Sequence, residues 1–464
     1  MTVQIEDLNG PKGLPLVGNV FRLDLPRIHQ QIEQWADAYG DVYRLDLVGT
    51  NQMVVTRPSL INAIANERPH AFKRAGKLNQ VISDGGVHGV FNAEGEDWKR
   101  YRAVVTKGLD VKHQQEFYPD LSEKVHILYE KWKKDADANR VIDIQKDLLR
   151  FTVDITTLLA FGYDIDTMCQ EGGVIQDHLE VIFPTLFKRI NMPISWYKLY
   201  RTKKDKAFEK AVSEMNAIVD VFIGDARKRL ETEPERKAHP KNLLESILIA
   251  AEEEGRFSID EIRGNLMTLL MAGEDTTAHT LTWMIYLLLR EPEVVAKIRQ
   301  EADEILGEER YCSDYSDNQK LKFAEATANE SLRFKPVAPI LLHEALDNID
   351  LEEFHIKKGQ KILTQYRHGA LKDNYFSEAK NIKPERWLKG MGCPVHNTEA
   401  FTPFGAGPRY CPGRNLALLE IRAVISMLYK NFEVELAPGE RVEEVMAFTM
   451  MASSLKVRLK NREK

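Results

Sequence analysis

Residues 404–413 read FGAGPRYCPG and place one cysteine, Cys411, in a setting that suits an anionic sulfur. Gly405 and Gly407 permit positive φ angles, which turn the chain back beneath a ligand. Pro412 suits the first position of a helix, and an apolar pattern at three- and four-residue spacing follows it. The positive end of that helix would lie at the sulfur. The stretch therefore predicts a thiolate that serves as a metal ligand.

Two other interpretations of Cys411 are open at this point. A free cysteine near a glycine-rich turn is commonly a small buried apolar residue without chemistry. Alternatively, Cys393 and His396, separated by two residues, could join Cys411 in a zinc site. No second pair of cysteine or histidine at zinc-site spacing follows in the sequence, which weighs against zinc.

The composition is that of an ordinary globular protein, with 464 residues of which 43% are hydrophobic. No repeat, low-complexity block or Ser/Gly linker divides the chain, so we predict one large domain over residues 1–464. Residues 1–24 form an N-terminal extension that contains proline and glycine. The net charge of −6 gives no general attraction to nucleic acid, so no nucleic-acid partner is expected.

The cellular location is predicted from the cysteines and the chain start. Four widely spaced cysteines suit a reducing compartment better than a disulfide framework. Residues 1–24 carry charged side chains and no apolar run of signal-peptide length. We therefore expect a cytoplasmic protein without an integral membrane segment.

Helical periodicity dominates the sequence, and strand patterns are few. Apolar residues at helical spacing predict helices over residues 28–39, 96–109, 121–136, 144–161, 206–230, 243–253 and 319–334. Alternating patterns predict a hairpin over residues 41–56, turning at Gly49-Thr50-Asn51, and a short strand pair within residues 350–364. The predicted fold is mainly α with a small β portion.

A long helix is predicted over residues 258–290. Ser258 and Glu261 form a capping box at its start, and Pro292 lies just beyond its end. Its centre, residues 272–277 (AGEDTT), puts glycine, two acids and two threonines where leucine or alanine would suit a buried helix better. Local rules that are broken at the centre of a consistent element often mark a functional site.

These motifs together resemble one family. The pattern Phe-x-x-Gly-x-Arg-x-Cys-x-Gly over residues 404–413 resembles the haem-binding motif of the cytochrome P450 family at every fixed position. The centre of the long helix resembles the family's distal motif, Ala/Gly-Gly-x-Asp/Glu-Thr. The resemblance implies a cytochrome P450 fold and a haem b cofactor, with Cys411 as the axial thiolate ligand of the iron.

The resemblance also implies the contacts of the cofactor. Phe404 would lie over the sulfur, while Arg409, Trp98 and Arg102 would bind the haem propionates. His343 stands where family members commonly carry arginine, so its propionate contact would depend on pH. The full set of cofactor-binding residues implied is Cys411, Phe404, Gly407, Arg409, Gly413, Trp98, Arg102, His343, Ala272 and Gly273.

The distal motif implies the catalytic residues. Gly273 would let the long helix pass close to the haem face, and the Thr276 hydroxyl would bond back to a helix carbonyl. Thr276 and Asp275 would deliver protons to bound oxygen. The place of Glu274 in the motif is variable, so we expect it to form a structural ion pair.

A charge triad is implied around the cysteine loop. Glu330 and Arg333 lie one helical turn apart, and Arg386 lies 25 residues before Cys411, as in the family. The triad would lock the cysteine loop in place. One departure is Ile382, where the family usually carries an aromatic residue, and we interpret it as a packing variation.

The substrate side of the site is predicted to be apolar. Lys188 or Arg189 is a candidate anchor for a substrate carboxylate, and the substrate is expected to be lipophilic, of lipid, terpenoid, steroid or polyketide class. The family's substrate-contacting positions fall in residues 72–91, 183–200, 337–342 and 448–451.

The implied function is a monooxygenase that activates O2 with two externally supplied electrons and hydroxylates or epoxidises its substrate. The family's motifs run from Trp98 to Gly413 and leave no room for a flavin or iron–sulfur domain. We therefore expect an external ferredoxin or flavodoxin with an NAD(P)H reductase, in a soluble relative of bacterial type. Its candidate docking residues are Lys99, Arg100, Lys107 and Arg414.

Two alternatives to this function are an H2O2-driven peroxygenase of the same fold and a non-enzymatic haem sensor or carrier. Peroxygenase relatives typically lack the acid and the alcohol of the distal helix, and a sensor needs no proton relay. Asp275 and Thr276 argue against the peroxygenase, whereas slow autoxidation and no turnover with any reductase would favour the sensor or carrier.

Overall fold

The computed structural model describes residues 2–169, 174–192, 195–254, 257–388 and 397–463. Most of this chain is helical, and short strands form small sheets. The helices are α1 Ile28–Tyr39, α2 Pro58–Asn66, α3 Gly76–Asp84, α4 Gly95–Gly108, α5 Val111–Asp137, α6 Ile144–Phe161, α7 Val174–Asn191, α8 Lys203–Thr232, α9 Glu235–Ala238, α10 Leu243–Glu254, α11 Ile259–Leu288, α12 Pro292–Leu306, α13 Tyr315–Lys320, α14 Lys322–Phe334, α15 Arg367–Ala370 and α16 Arg414–Asn431. The strands are β1 Val42–Leu47, β2 Thr50–Val55, β3 Phe72–Arg74, β4 Val141–Asp143, β5 Ile340–Ala345, β6 Ile349–Leu351, β7 Phe354–Ile356, β8 Lys361–Gln365, β9 Phe432–Leu436, β10 Glu444–Met446, β11 Met450–Ala452 and β12 Lys456–Asn461. The predicted mainly α fold with a small β portion, in a single domain, is confirmed.

The largest sheet has five strands in the order β1-β2-β8-β5-β3. The predicted hairpin is present as β1 and β2, but Leu47 pairs with Thr50, so the turn is Val48-Gly49, earlier than predicted. Gly49 has a φ of +66°, which glycine adopts without strain and which a tight hairpin turn requires. The N-terminal extension contacts two sheets, because Gly18 forms a bridge with Leu47 of β1 and Val3 forms one with Phe354 of β7.

The strand pair predicted within residues 350–364 is wrong in its pairing. β6 and β7 form a hairpin of their own, with Ile349 opposite Ile356. β8 instead joins the large sheet, parallel to β2 and antiparallel to β5. Parallel pairing joins segments that are distant in sequence, so local alternation of residues does not reveal it.

The long helix α11 crosses the middle of the domain and packs against α6, α8, α14 and α16. Its 30 residues correspond to about 45 Å of helix. The predicted capping box is present: Glu261 N–H donates to Ser258 Oγ at 3.3 Å, and Ser258 N–H donates to the Glu261 carboxylate at 2.7 Å. α11 is buried on most of its surface, because helices cover it on several sides.

Two predicted helix bounds differ clearly from the structure. α5 begins ten residues before the predicted Leu121, because Asp110 caps its start and the helix continues through Pro119. The helix predicted over residues 319–334 is split at Leu321 into α13 and α14. The carboxylate of Glu301 accepts hydrogen bonds from the first N–H groups of α14 and so stabilises a new helix start. Among the described residues, no helix is both long and apolar enough to span a bilayer.

Candidate active site

The cysteine loop is closed by backbone contacts on both sides of Cys411. Cys411 N–H donates to the Phe404 carbonyl at 2.8 Å. Gly405 and Gly407 have φ angles of +74° and +65°, as the sequence predicted. A Cβ atom on Gly407 would lie 2.3 Å from the Ala65 carbonyl oxygen at the end of α2, so only glycine fits there.

The thiol of Cys411 lies at the N-terminus of α16. The N–H groups of Gly413 and Arg414 donate towards the sulfur. Burial raises the pKa of the Cys411 thiol, while these two N–H groups and the cations of Arg102 and Arg414 oppose that rise. The prediction that Pro412 begins the helix is wrong, because Gly413 is the N-cap and Arg414 is the first helical residue. That start leaves the first N–H groups of α16 free to reach the sulfur.

Ala272 and Thr276 line a cavity along α11. The Thr276 hydroxyl donates to the Ala272 carbonyl at 2.8 Å, which is the predicted back-bond within the helix. Gly273 faces α6, and its predicted close approach to the haem face stays a prediction. A Cβ atom on Gly273 would lie 2.4 Å from Thr156 Oγ1, so this glycine allows α11 to pack closely against α6.

The Asp275 carboxylate is bound on both oxygens. Oδ1 lies 2.6 Å from His279 Nε2, and Oδ2 accepts a hydrogen bond from the Thr449 hydroxyl. Burial opposes ionisation, but the charge of His279 and the hydrogen bonds from His279 and Thr449 outweigh it and lower the pKa of Asp275. Asp275 itself does not line the cavity, whereas Thr449 does.

The ion pair predicted for Glu274 is wrong. Its side chain is buried, and Oε2 has no hydrogen-bond partner among the described residues. Burial, reinforced by the negative charges of Asp275 and Glu180, raises the pKa of Glu274 well above its usual range. The folded protein therefore favours the protonated, neutral form of Glu274.

Arg102 and Arg409 lie beside the cysteine loop. Arg102 Nη1 donates to the Tyr410 carbonyl at 2.7 Å, and its guanidinium lies 4.7 Å from the Tyr410 ring centre. Arg409 stacks on Trp98 at 4.5 Å and donates to the Ala93 carbonyl at 2.9 Å. Arg102 thus fixes the backbone next to Cys411, while Arg409 joins the loop to α4.

Two further arginines, the buried Arg68 and the half-buried Arg74, complete what we call the arginine cluster: Arg68, Arg74 and Arg409. Sequence reasoning missed both additional members. Nε and Nη2 of Arg68 and Nε of Arg409 donate no hydrogen bond to any described residue. Glu94 is the acidic neighbour of Arg68 and Arg409.

The arginine cluster is short of negative charge. Burial lowers the pKa of Arg68, and burial with the charges of Arg68 and Arg409 lowers that of Arg74 well below its usual range. Burial lowers the pKa of Arg409 to about 10 despite its contact with Glu94. Such an excess of desolvated cations predicts an anionic ligand.

His343 lies opposite Arg74 in the pairing of β3 with β5. Its Nε2 is 3.1 Å from Thr364 Oγ1, and its Nδ1 has no partner among the described residues. Burial and the charges of Arg68 and Arg74 lower the pKa of His343 well below its usual range. The ring is therefore neutral, and Arg74 supplies the cation on the neighbouring strand.

These residues fit a haem with two propionates. The unpartnered donors of Arg68 and Arg409 are buried and suit carboxylates, which accept charge-assisted hydrogen bonds. The Cys411 thiol, held by helix N–H groups, suits an iron ligand. Ala272 and Thr276 leave space along α11. Thiol, cations and open helix face together supply what the cofactor requires.

The Glu330 triad is assembled as predicted. Its members, Glu330, Arg333 and Arg386, are all buried. Arg333 Nε and Nη2 lie 2.9 and 2.7 Å from the Glu330 oxygens, and Arg386 Nε lies 3.2 Å away. The Trp387 indole N–H also donates to Glu330 at 2.9 Å. Trp387 contacts the Phe401 ring at 4.2 Å, which connects the triad to the chain just before the cysteine loop.

The remaining donors of the triad bind backbone carbonyls. Arg333 Nη1 donates to the Ala370 and Ala379 carbonyls at 2.8 and 2.7 Å. Arg386 Nη1 donates to the Ser377 carbonyl at 2.6 Å. The triad therefore fastens the segment that precedes Trp387. Ile382 packs against the main core, which agrees with its interpretation as a packing variation.

The cavity has a volume of about 220 Å³ and a predominantly apolar wall. All four sequence segments predicted to contact substrate contribute to it. Its apolar lining includes Leu78, Ile82, Val87, Phe91, Phe187, Ile190, Met271, Leu341, Leu342, Met446 and Phe448.

The carboxylate anchor predicted at Lys188 or Arg189 is wrong. Arg189 is buried in an ion pair with Asp205 at 2.8 Å, and its guanidinium lies 4.2 Å from the Tyr197 ring centre. Lys188 is exposed, and neither residue lines the cavity. Arg74 is the cation in the described cavity wall.

The four candidate docking residues differ in how far their charge is balanced. Lys99 lies 2.7 Å from Glu96, and Arg100 contacts Asp97 and Glu261 at 2.8 and 2.5 Å. Lys107 and Arg414 are exposed. Cys393 and His396, proposed as zinc ligands, lie outside the described residues. Within the described ranges, no group of three His, Cys, Asp or Glu side chains is placed to hold a metal ion.

Comparison with known proteins identifies the family. The family model for cytochrome P450 matches residues 8–460. The chloroplastic protein LUTEIN DEFICIENT 5 of Arabidopsis thaliana is 28% identical over 412 residues, which cover 86% of this chain and 68% of that protein. Cytochrome P450 84A4 of the same plant is 24% identical over 448 residues, covering 93% of this chain and 86% of that protein.

A third relative is longer than this chain. The bifunctional cytochrome P450/NADPH–P450 reductase 2 of Bacillus subtilis is 27% identical over 465 residues. The match covers 98% of this chain and 42% of that protein, so the chain spans less than half the length of this relative. Family members bind haem b through a thiolate and act as monooxygenases. With a family match over nearly its whole length and a thiol site that suits haem, this chain belongs to the cytochrome P450 family.

Proposed function

We propose that this protein oxidises a lipophilic small molecule with O2 and two electrons from a separate reductase system. Family members use O2, lipophilic substrates and redox partners. The observation that carries the proposal is the convergence of three features: a thiol held by helix N–H groups, buried arginines with unpartnered donors, and an apolar cavity along α11.

Different residues of the chain would bind the iron and the propionates of haem. Cys411 would hold the iron, and the arginine cluster, Arg102 and Trp98 would bind the propionates. Phe404 would cover the sulfur. The guanidinium of Arg414 lies 5.8 Å from the centre of the Phe404 ring. When bound, haem would supply the binding and reductive activation of O2.

On the distal side, we propose that Thr276 and Asp275 manage protons. The Thr276 hydroxyl donates to Ala272, so its oxygen is free to accept a hydrogen bond in the cavity. His279 and Thr449 lower the pKa of Asp275, so a proton that reaches this carboxylate is readily passed on. The apolar cavity wall would exclude bulk water from this region.

The substrate is proposed to be apolar over most of its length, of lipid, terpenoid, steroid or polyketide class. The cavity wall supports this, because its polar members are few: Arg74, Asn191 and three threonines. Hydroxylation or epoxidation is the reaction expected of such a substrate near activated oxygen.

The electrons are proposed to come from a ferredoxin or flavodoxin with an NAD(P)H reductase. Lys107 is an exposed basic residue on α4, the helix that contains Trp98. Arg414 is an exposed basic residue at the start of α16, the helix that follows Cys411. They suit an acidic protein partner. A cytoplasmic location is proposed as well, because Cys169, Cys312 and Cys411 are all unpaired thiols.

Oxygen-isotope labelling tests the proposed function. We expect one atom of ¹⁸O from ¹⁸O2 in the product when a ferredoxin, its reductase and NADPH are supplied to the haem-loaded enzyme with a library of lipophilic compounds. A peroxygenase would instead form product with H2O2 and gain nothing from the reductase. A sensor or carrier would form no product under either condition.

A further inference from the structure

The Asp275 carboxylate is separated from the cavity by one hydroxyl group. Oδ1 is held by His279 Nε2 at 2.6 Å, and Oδ2 accepts the hydrogen bond of the Thr449 hydroxyl. Thr449 lines the cavity and comes from the loop between β10 and β11. Asp275 is buried and does not line the cavity. The route from this acid to the cavity therefore leads through Thr449.

The backbone around Thr449 is held by its surroundings. The Thr449 carbonyl accepts from Ala447 N–H at 3.0 Å, and Met450 N–H donates to the Val337 carbonyl at 2.8 Å. The ring of Phe448 lies 5.6 Å from that of Phe183, which packs the same loop against α7. These contacts involve backbone and neighbouring residues. A valine at position 449 would keep them and lose only the hydroxyl.

A hydroxyl can pass a proton without a net change of its own state. Thr449 donates its proton to Asp275, and its oxygen has two lone pairs. When Asp275 carries a proton, the Thr449 oxygen can accept it while the hydroxyl gives its own proton to an acceptor in the cavity. One proton then moves from Asp275 to the cavity, and Thr449 is a neutral alcohol before and after.

His279 determines which carboxylate oxygen is available. It lies one helical turn from Asp275 and is buried, and its Nδ1 has no partner among the described residues. Since Nε2 occupies Oδ1, the second oxygen is turned to Thr449. His279 thus acts through Asp275 and not on the cavity itself.

We propose that Thr449 passes protons from Asp275 to the cavity and that His279 is the positioning residue that orients Asp275 for this transfer. The proposal rests on the proposed O2-dependent function. It adds a residue from the β10–β11 loop to the acid and alcohol that the α11 sequence contains. Thr276 borders the same cavity, but its hydroxyl proton is directed to Ala272 within the helix.

The test uses the haem-loaded enzyme and the compound that gave product in the ¹⁸O2 experiment. Thr449→Val removes the hydroxyl, Thr449→Ser restores it, and Thr282→Val is a matched control. Thr282 is a buried threonine of α11 that donates to the Ala278 carbonyl at 2.8 Å and does not line the cavity. Product formed per NADPH, peroxide released and the dissociation constant from the substrate-induced spectral shift are measured for each variant.

We expect Thr449→Val to lower product per NADPH on the order of tenfold, with a matching rise in peroxide, because proton transfer groups contribute at least that much. Thr449→Ser and Thr282→Val should stay within about twofold of wild type, because the first keeps the hydroxyl and the second alters a residue that does not line the cavity. The spectral dissociation constant of Thr449→Val should be unchanged, because the cavity shape is kept. The double variant Thr449→Val/Asp275→Asn should form as much product per NADPH as Asp275→Asn alone, because both changes interrupt the same proton transfer.

Three results would overturn the proposal. Thr449→Val could form as much product per NADPH as wild type, or Thr449→Ser could lose as much product per NADPH as Thr449→Val. The loss in Thr449→Val could also be accompanied by weaker substrate binding in the spectral titration. Any of these with an active wild-type enzyme leaves the proposed function standing. If the wild-type enzyme forms no ¹⁸O-labelled product, the function itself fails and the proposal fails with it.

Discussion

Two clusters of buried charge lie in this protein, and they differ in how fully their hydrogen-bonding groups are satisfied. In the Glu330 triad, one carboxylate accepts from Arg333, Arg386 and Trp387, and the other guanidinium donors bind backbone carbonyls. In the arginine cluster, buried N–H groups of Arg68 and Arg409 have no hydrogen-bond partner among the described residues. Both clusters are desolvated, yet only the first is complete.

The difference separates a structural role from a ligand-binding role. A satisfied buried network stabilises the fold and leaves nothing for a ligand to bind. An unsatisfied cluster of cations destabilises the protein unless an anion joins it. The arginine cluster lies beside Trp98 and the cysteine loop, where the haem propionates are proposed to bind.

The largest effect is expected when the complete cluster is broken. Glu330→Gln removes the charge that balances Arg333 and Arg386, both of which stay buried. We expect a loss of about 3–5 kcal/mol in the free energy of unfolding, as for other broken buried ion pairs. Urea denaturation measures it.

A surface pair provides the control for Glu330. Glu385 lies 2.5 Å from Lys297, and their side chains are 31% and 53% exposed. Glu385→Gln should change the free energy of unfolding by less than about 1 kcal/mol. Equal losses in the two variants would contradict the structural role of the triad.

Glu274 is a buried acid with an oxygen that lacks a hydrogen-bond partner among the described residues. It should make the free energy of unfolding depend on pH. Because its pKa is raised in the folded protein, the unfolded chain releases this proton at lower pH than the folded one. Stability is therefore lost as the pH rises above the ordinary pKa of glutamate, by about 1.4 kcal/mol for each pH unit until the folded pKa is reached. Glu274→Gln should remove this loss.

The measurement is the difference in unfolding free energy between Glu274→Gln and wild type from pH 4 to 7. We expect the variant's advantage to grow with pH. Glu180 is an exposed acid nearby, so Glu180→Gln should show only a small dependence. A constant difference for Glu274→Gln would show that the folded protein does not raise this pKa.

The incomplete cluster should respond to mutation in the opposite sense from the triad. Arg68→Met removes a buried cation that has two nitrogens without a hydrogen bond and only a 3.9 Å ion pair with Glu94, so the protein without haem should lose no stability. Haem dissociation should become about tenfold faster, equivalent to about 1.4 kcal/mol. Transfer of haem to excess apomyoglobin, followed by absorbance, measures the rate.

Arg57 is the matched control for Arg68, because its guanidinium is paired with Asp41, Glu352 and Glu353. Arg57→Met should reduce stability and leave the haem dissociation rate unchanged. The propionate assignment fails if Arg68→Met retains haem as wild type does, or if both variants lose it equally.

The smallest effect concerns surface charge. Lys107 is exposed, whereas Lys99 is paired with Glu96. With an acidic ferredoxin at low salt, Lys107→Glu should slow haem reduction several-fold in stopped-flow measurements, and added salt should reduce the difference. Lys99→Glu should slow haem reduction less than Lys107→Glu does. A larger effect of Lys99→Glu would contradict docking at Lys107.

Features set by local rules could be predicted from the sequence. The cysteine loop, the capping box of α11 and the bounds of α6 follow from glycine conformation, side-chain capping and helical periodicity.

Features assembled from distant segments could not be predicted in this way. Arg74 faces His343 because β3 pairs with β5, and neither strand indicates that pairing locally. Gly273 packs against Thr156 because α6 crosses α11 at that point. Arg189 forms an ion pair with Asp205 on the next helix, and this contact holds its side chain away from the cavity. In each case a tertiary contact decided the role of a residue whose type was ambiguous.

The central claim is that Cys411 binds haem iron as a thiolate, and the difference spectrum of the reduced protein with carbon monoxide tests it most directly. We predict a Soret band far to the red of that of histidine-ligated globins for the wild-type protein. Cys411→His should shift the band to the globin position. A globin-like band in the wild-type protein, or a red-shifted band that persists in Cys411→His, would contradict the claim.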